Sequence, residues 1–353
     1  MFHRKLVLAA AAALAAAAGL TACSSGSGGK TGAAQNAGST SSPVTIKLAA
    51  ANSTGQSFIP LILAQQLGFF QKQGLDVQIV SATSGAQTNQ MLLSKQVQGV
   101  VGFYDHNIDL VAKGTQVESV ISLLQAPGMV ELVRSDEAAT ITSPANLSGK
   151  NVGITGLGGS TEFLADYLAQ HSGLSASSMH PVGVQTGPIF VAAVQHKQID
   201  AGITTEPTIT SLLSKHMAKI IVDMRSVTGT QAALGGPYPG TAVSMNTAWV
   251  NANQATVQKL VNALVQALHW VQQHSAEQIT DAMPATYYKG PGKTAYVQAL
   301  ANEIGMFSPS GLMPTDGPQS VFRVLSTFDP AVKGRQVDLS KTYTDQFVQH
   351  ASS

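Results

Sequence analysis

Cysteine is nearly absent, with Cys23 the only one in 353 residues. A single thiol closes no disulfide within the chain and builds no zinc–thiolate cluster, so stability has to come from a hydrophobic core. Charge is also sparse: Asp, Glu, Lys and Arg make up 11% of residues, and the formal net charge is +1. A near-neutral chain without a Lys/Arg cluster lacks the field that gathers nucleic acid, so no nucleic-acid partner is expected. Catalytic signatures are missing as well. There is no HExxH pair for zinc and no GxSxG elbow for a hydrolase nucleophile. His269 and His274 lie at i, i+5, which is poor spacing for a metal. No catalytic residue, no metal site and no cofactor is expected.

The first residues, MFHRKLVLAAAAALAAAAGLTAC, combine a short basic start with an uncharged run from Leu6 to Leu20. That run is shorter than the ~20 residues of a stable membrane span and reads as a secretory signal over 1–22. Leu20-Thr21-Ala22-Cys23 resembles a bacterial lipobox, in which Cys23 would be diacylated and become the mature N-terminus. The plainer alternative is an ordinary cleaved signal with an incidental cysteine. Residues 23–43 then form the lipidated cysteine and a flexible linker, because Gly, Ser, Ala, Asn and Thr cannot bury enough surface to offset their ordering entropy.

From Val44 the pattern alternates short β-rich runs with helical ones, the rhythm of parallel sheets covered by helices. VTIKLAAA, LDVQIVSA, GVVGFY and VESVISLL read as strands. SFIPLILAQQLGFFQKQG reads as one amphipathic helix carrying Ile59, Ile62, Leu63, Leu67 and Phe70. A second, similar unit begins near Leu147, with strands predicted at LSGKNVGIT, MHPVGVQT, IDAGITTE and KIIVDMR. The Gly/Pro-rich stretch from Thr228 to Gly240 is expected to be loop, and TAVSMNTAWV an extended segment. A long helix is predicted from Gln254 to Ile279. The second unit therefore sits inside the first, with chain crossings near residues 131 and 241.

The segment IKLAAANSTGQSFIPLILAQQLGFFQKQGLDVQIV resembles the opening of substrate-binding proteins of the nitrate/sulfonate/taurine type and their thiamine-precursor relatives. NLSGKNVGITGLGGSTEFLADYLAQHSGL, QHKQIDAGITTEP and VQKLVNALVQALHWVQQH resemble later segments of the same family, in family order. The chain departs from the family at KQVQGVVG, where Gln98 replaces an acid, and at the pair Asp105-His106. The resemblance implies an α/β, two-lobed clamshell of the type II periplasmic-binding-protein kind, each lobe a mostly parallel sheet flanked by helices. Lobe 1 would comprise 44–130 and 241–353, and lobe 2 would comprise 131–240. The function implied is capture of a small polar or anionic solute, sulfonate-, nitrate-, taurine- or pyrimidine-like. The expected partners are an ABC permease with its ATPase, and the protein would be a monomer lipid-anchored on the outer face of the cell membrane. Two alternatives remain, a sensor lipoprotein and an enzyme like the pyrimidine synthases of thiamine synthesis. Those synthases resemble this family, are consumed in their reaction and rely on a cysteine-rich iron motif.

In parallel α/β lobes ligands lie beyond the carboxyl ends of strands, where helix N-termini present free N–H groups. The candidate ligand residues sit in four such turns. They are Ser53, Gln56 and Ser57; Thr83 and Ser84; Asp105 and His106; and Gly158, Gly159, Ser160 and Thr161. Each turn is equally readable as a capped helix. Gly158 to Thr161 lacks the glycine spacing and following lysine of a nucleotide loop, and suggests a compact anionic or strongly polar head group. Glu206, before Pro207, reads as a ligand or hinge contact or as a helix-start acid. Arg225 could clamp an anion or form a surface ion pair. Tyr238 could stack on a ring, close a lid or be a surface aromatic.

Overall fold

The β-rich runs find partners where their alternation of aliphatic and polar residues suggests. The computed structural model describes residues 42–351 apart from Asn52. The signal segment, Cys23 and nearly all of the linker lie outside the described residues. From Ser42 onward the chain forms one compact unit.

The first part of the chain runs β1 (Val44–Ala51), α1 (Ile59–Gln66), α2 (Phe69–Lys72), β2 (Leu75–Ala82), α3 (Gly85–Leu93), β3 (Gly99–Phe103), α4 (Asp105–Ala112) and β4 (Val117–Ser122). The chain then crosses to β5 (Met129–Arg134), β6 (Asn151–Ile154), α5 (Ser160–His171), β7 (His180–Gly183), α6 (Pro188–Gln195), β8 (Ala201–Thr205), α7 (Thr208–Ser214), β9 (Ala218–Met224) and α8 (Val227–Leu234). It returns through β10 (Thr241–Asn246) to α9 (Thr247–Ala252), α10 (Gln254–Gln272), α11 (Ala276–Ala282), α12 (Lys293–Glu303), α13 (Gly317–Phe328) and α14 (Gln346–Gln349).

Two five-stranded sheets result, ordered β2-β1-β3-β10-β4 and β7-β6-β8-β5-β9. In each sheet one strand opposes its neighbours: β10 is antiparallel to β3 and β4, and β5 to β8 and β9. Both are the strands that follow a crossing, so the reversal belongs to the excursion of the chain. The remaining pairs are parallel, as in β1 against β2 from Val44↔Leu75 to Ala51↔Ala82. The expected α/β architecture of mostly parallel, helix-covered sheets is what the chain adopts.

The first sheet packs on α1 and α10, and the α10 stripe of Val257, Leu260, Val261, Leu264, Leu268 and Val271 is buried there. A smaller core of the second sheet holds Phe190, Val194, Ile209 and Leu212. Another core joins the two sheets. It gathers Tyr104 and Ile108 of the first unit, Leu164 and Leu168 of α5, and Val321, Val324 and Leu325 of α13.

Four helices differ from the expectations, the first being α9, which takes the second half of the stretch TAVSMNTAWV expected to be extended and is capped by Asn246. The predicted helix from Ser57 breaks at Gly68, whose φ of +71° suits glycine best, and α1 is buried nearly all round because it lies between the sheet and α10. Thr228 to Gly240 is not all loop. α8 occupies its first half, capped by the Ser226 hydroxyl on the Gly229 N–H, and ends at Gly235. The long C-terminal helix stops at Gln272, and Ser275 opens α11 through a capping box with Gln278.

Candidate ligand-binding cleft

The carboxyl ends of the parallel strands in both sheets converge on one half-open chamber of about 60 Å³. Ser57 and Phe58, beyond β1, enter it from the first sheet, with Gly85 and Thr88 of α3, Phe103 of β3, and His106 of α4. Met129, Thr155, Ser160, Thr161, Thr186 and Thr205 enter it from the second. The lining is therefore rich in hydroxyls, with apolar rings and a thioether between them. Among the described residues His106 is the only ionisable one in the lining, and neither Lys nor Arg takes part.

Gly85 admits the histidine: a Cβ there would fall 2.5 Å from His106 Nε2. The imidazole meets Phe163 edge-on at 5.5 Å and lies 3.5 Å from the Ser160 hydroxyl. Ser160 begins α5 and donates its proton to Asp105 Oδ1 at 2.8 Å, while the Tyr238 hydroxyl donates to Oδ2 at 2.9 Å. Asp105 and Tyr238 are both fully buried. Burial pushes the Asp105 carboxyl above its ordinary value, against the opposing pull of His106 and of its hydroxyl donors. Thr161 Oγ1 accepts from the Thr155 N–H at 2.9 Å, and the two threonine hydroxyls share a further bond of 2.9 Å. Thr88 donates to the Gly85 carbonyl at 2.7 Å.

Outside the chamber is a wider groove of about 370 Å³ that shares Gly55 and Thr186 with it. Its walls are α6, α7 and the turn carrying Thr286, Tyr287 and Pro291, with Lys215 at its edge. The backbone bridges the two units here, as the Gln56 N–H donates to the Glu206 carbonyl at 3.5 Å.

Of the residues singled out in the sequence, Ser57, His106, Ser160 and Thr161 come together in the chamber. The others lie elsewhere. Gln56 points away and donates from Nε2 to the Tyr296 carbonyl at 2.8 Å. Ser53 is half-buried outside the chamber lining. Thr83 bonds to Gln87 Oε1, and the Ser84 hydroxyl accepts from the Gln87 N–H, so both organise the start of α3. Asp105 stands behind Ser160. Gly158 and Gly159 shape the entry to α5, and the exposed Gly158 N–H donates to the Glu162 carboxylate. Glu206 lines the outer groove, but its carboxylate is occupied by the Thr210 N–H at 2.8 Å, the Thr210 hydroxyl at 3.0 Å and Arg225 at 3.4 Å. Arg225 also pairs with Asp223 at 2.6 Å and lies outside the chamber. Tyr238 is neither lid nor surface ring. Its hydroxyl holds Asp105.

Sequence reasoning missed Thr88, Met129, Thr186 and Thr205. Thr205 ends β8, so the rule that directed attention to other strand ends could have found it. Thr88 lies one turn inside a helix and carries no such signal.

Comparison with known proteins finds the same fold in several solved structures. The nitrate-binding protein NrtA of Synechocystis superposes with a TM-score of 0.68 at 17% identity, covering 87% of this chain and 88% of that one. The alkanesulfonate-binding protein SsuA of Xanthomonas axonopodis, bound to MOPS, gives 0.66 at 17% identity over 86% and 99%. A protein of Bordetella bronchiseptica gives 0.83 at 30% identity over 88% and 97%. The 4-amino-5-hydroxymethyl-2-methylpyrimidine phosphate synthase THI11 of Saccharomyces cerevisiae is 31% identical over 163 residues, 46% of each chain. The chain thus spans less than half the length of that curated relative. The fold is that of periplasmic binding proteins, and the thiamine-precursor resemblance seen in the sequence holds. The model of NMT1/THI5-like proteins matches residues 56–278, and the chain belongs to that family.

Proposed function

We propose that this chain is the extracytoplasmic solute-binding lipoprotein of an ABC importer, holding a small polar solute between two lobes, 44–130 with 241–353 and 131–240. The carrying observation is the half-open chamber at the facing strand ends, lined by hydroxyls and one imidazole. Such a lining orients a compact polar molecule by hydrogen bonds while Phe58, Phe103 and Met129 exclude water. The neighbours named as nitrate- and alkanesulfonate-binding proteins support capture and delivery to a permease. Anchoring is assigned to Cys23 on the lipobox-like run Leu20-Thr21-Ala22-Cys23, and no helix among the described residues is long and apolar enough to cross a membrane.

A thermal-shift screen against sulfonates, nitrate, pyrimidines and small carboxylates tests the reading, because a ligand that binds only the native state raises the midpoint. A rise with at least one compound, confirmed by calorimetry, is expected. A flat response across the panel overturns it.

The second reading, a pyrimidine synthase, is favoured by the name of the yeast relative. Against it, the only cysteine is Cys23, and no group of three or more His, Cys, Asp or Glu among the described residues could hold a metal. A synthase consumed in its reaction would change intact mass on turnover. A binding protein keeps its mass after incubation with any solute of the screen.

A further inference from the structure

We propose that the chamber selects an uncharged solute presenting an N–H or O–H donor to Ser160 and Thr88, and that Asp105 sets this preference. The proposal rests on the solute-binding reading and narrows it against nitrate and sulfonates. A hydroxyl carries one proton and two lone pairs, so a proton given away inside the protein leaves only acceptor capacity for a ligand. Ser160 gives its proton to Asp105 Oδ1 at 2.8 Å, and Thr88 gives its proton to the Gly85 carbonyl at 2.7 Å. Both side chains line the chamber, and both offer it lone pairs.

The polarity of Ser160 is fixed from behind. Both Asp105 oxygens are taken up as acceptors, Oδ1 by Ser160 and Oδ2 by Tyr238, and these donors oppose the upward push of burial on the carboxyl. With its proton on Asp105 Oδ1, the Ser160 hydroxyl turns lone pairs toward the ligand. An anion seated on Ser160 would meet a lone pair, and among the described residues no Lys or Arg lines the chamber to balance its charge. The first N–H groups of α5 have no intrahelical acceptor and favour negative charge there, but a helix end supplies only about half an elementary charge. They suit the neutral acceptor atom of a ligand whose adjacent group donates. An amide, urea or amino-heterocycle edge has that pairing. Ser57, Thr186 and Thr205 have no side-chain donor bond to another described residue and can adapt to either role.

The test is calorimetric titration of the full chain with two sets of probes. One set holds cytosine, 4-aminopyrimidine, nicotinamide and urea; the other holds nitrate, ethanesulfonate and benzoate. The tightest binder is expected in the first set, at least tenfold ahead of any anion. Asp105→Asn frees the Ser160 proton and adds an amide donor. It should weaken that binder at least tenfold and narrow the ratio between the sets, a change that general loosening of the fold would not produce. Ser160→Ala should weaken the same binder, and it carries the test if Asp105→Asn fails to fold. Tightest binding by an anion overturns the proposal while leaving solute capture intact. An unchanged ratio in folded Asp105→Asn, or unchanged affinity in Ser160→Ala, also overturns it. If neither set binds, the capture reading falls with it.

Discussion

Ser84 and Gly156 meet across the cleft, one at the start of α3 and the other beyond β6: a side-chain carbon built on Gly156 would lie 3.0 Å from Ser84 Cβ. That carbon is fixed to the backbone and cannot swing away, so the approach of the two units depends on the missing side chain. Gly156→Val is expected to hold the cleft ajar and weaken the ligand found by screening at least tenfold. Small-angle scattering checks the cause. The parent should compact on ligand addition and the variant should not. Equal compaction in both would remove this contact from closure.

Ser160→Asp separates a helix argument from a burial argument. By the helix alone, an acid in the first turn of α5 is harmless, because it complements the dipole. The structure reverses that expectation, since Ser160 is 6% exposed and sits at hydrogen-bond distance from Asp105. Two buried carboxyls would share one place, a situation costing on the order of 3 kcal/mol. A melting temperature several degrees below the parent is expected without ligand. An unchanged one would mean the chamber is wetter than described.

Glu131 governs a pH dependence. It lies on β5 opposite Ile203 and Val222, is fully buried, and has no partner for either oxygen among the described residues. Burial pushes its carboxyl up to about 8 from 4.5. The folded state therefore keeps a proton that the unfolded chain loses. This contribution is fully present below pH 4.5 and is lost as pH rises toward 8, at about 1.4 kcal/mol per unit at most. Denaturant melts across that window should show the parent losing stability. Glu131→Leu, filling the same space without a charge, should flatten the slope and be more stable at pH 8. Parallel slopes would show that Glu131 is not the titrating group.

Membrane attachment is tested at Cys23. If Cys23 carries the proposed lipid, two acyl chains and an N-acyl group would bury enough methylene to make release negligible. Cys23→Ala should move the protein from the membrane fraction to the soluble one. Full retention in the membrane would exclude the lipid anchor.

The fold was legible in the chain because strands and covering helices are written locally. Val44–Ala51 and Leu75–Ala82 lie where VTIKLAAA and LDVQIVSA predict, and the α10 stripe follows its hydrophobic spacing. The site was legible only as far as turn chemistry reaches. Ser57, Ser160 and Thr161 follow strand ends and were found. Thr83 and Ser84 have the same chemistry but spend it on the start of α3. Tyr238 was misread because no local pattern says that the return loop folds inward onto Asp105. That relationship joins residues 133 positions apart and exists only once both units are assembled.

The position of β10 has a consequence for how the molecule is made. It lies between β3 and β4, hydrogen-bonded to both, yet it follows the whole second sheet in the chain. The second sheet draws all its strands from one continuous stretch and can be completed as soon as that stretch is available. The first sheet stays split, with β4 lacking a strand neighbour, until Thr241–Asn246 emerges. During synthesis the earlier-translated half therefore waits for the later one, and its exposed strand edges are where a holding chaperone would act.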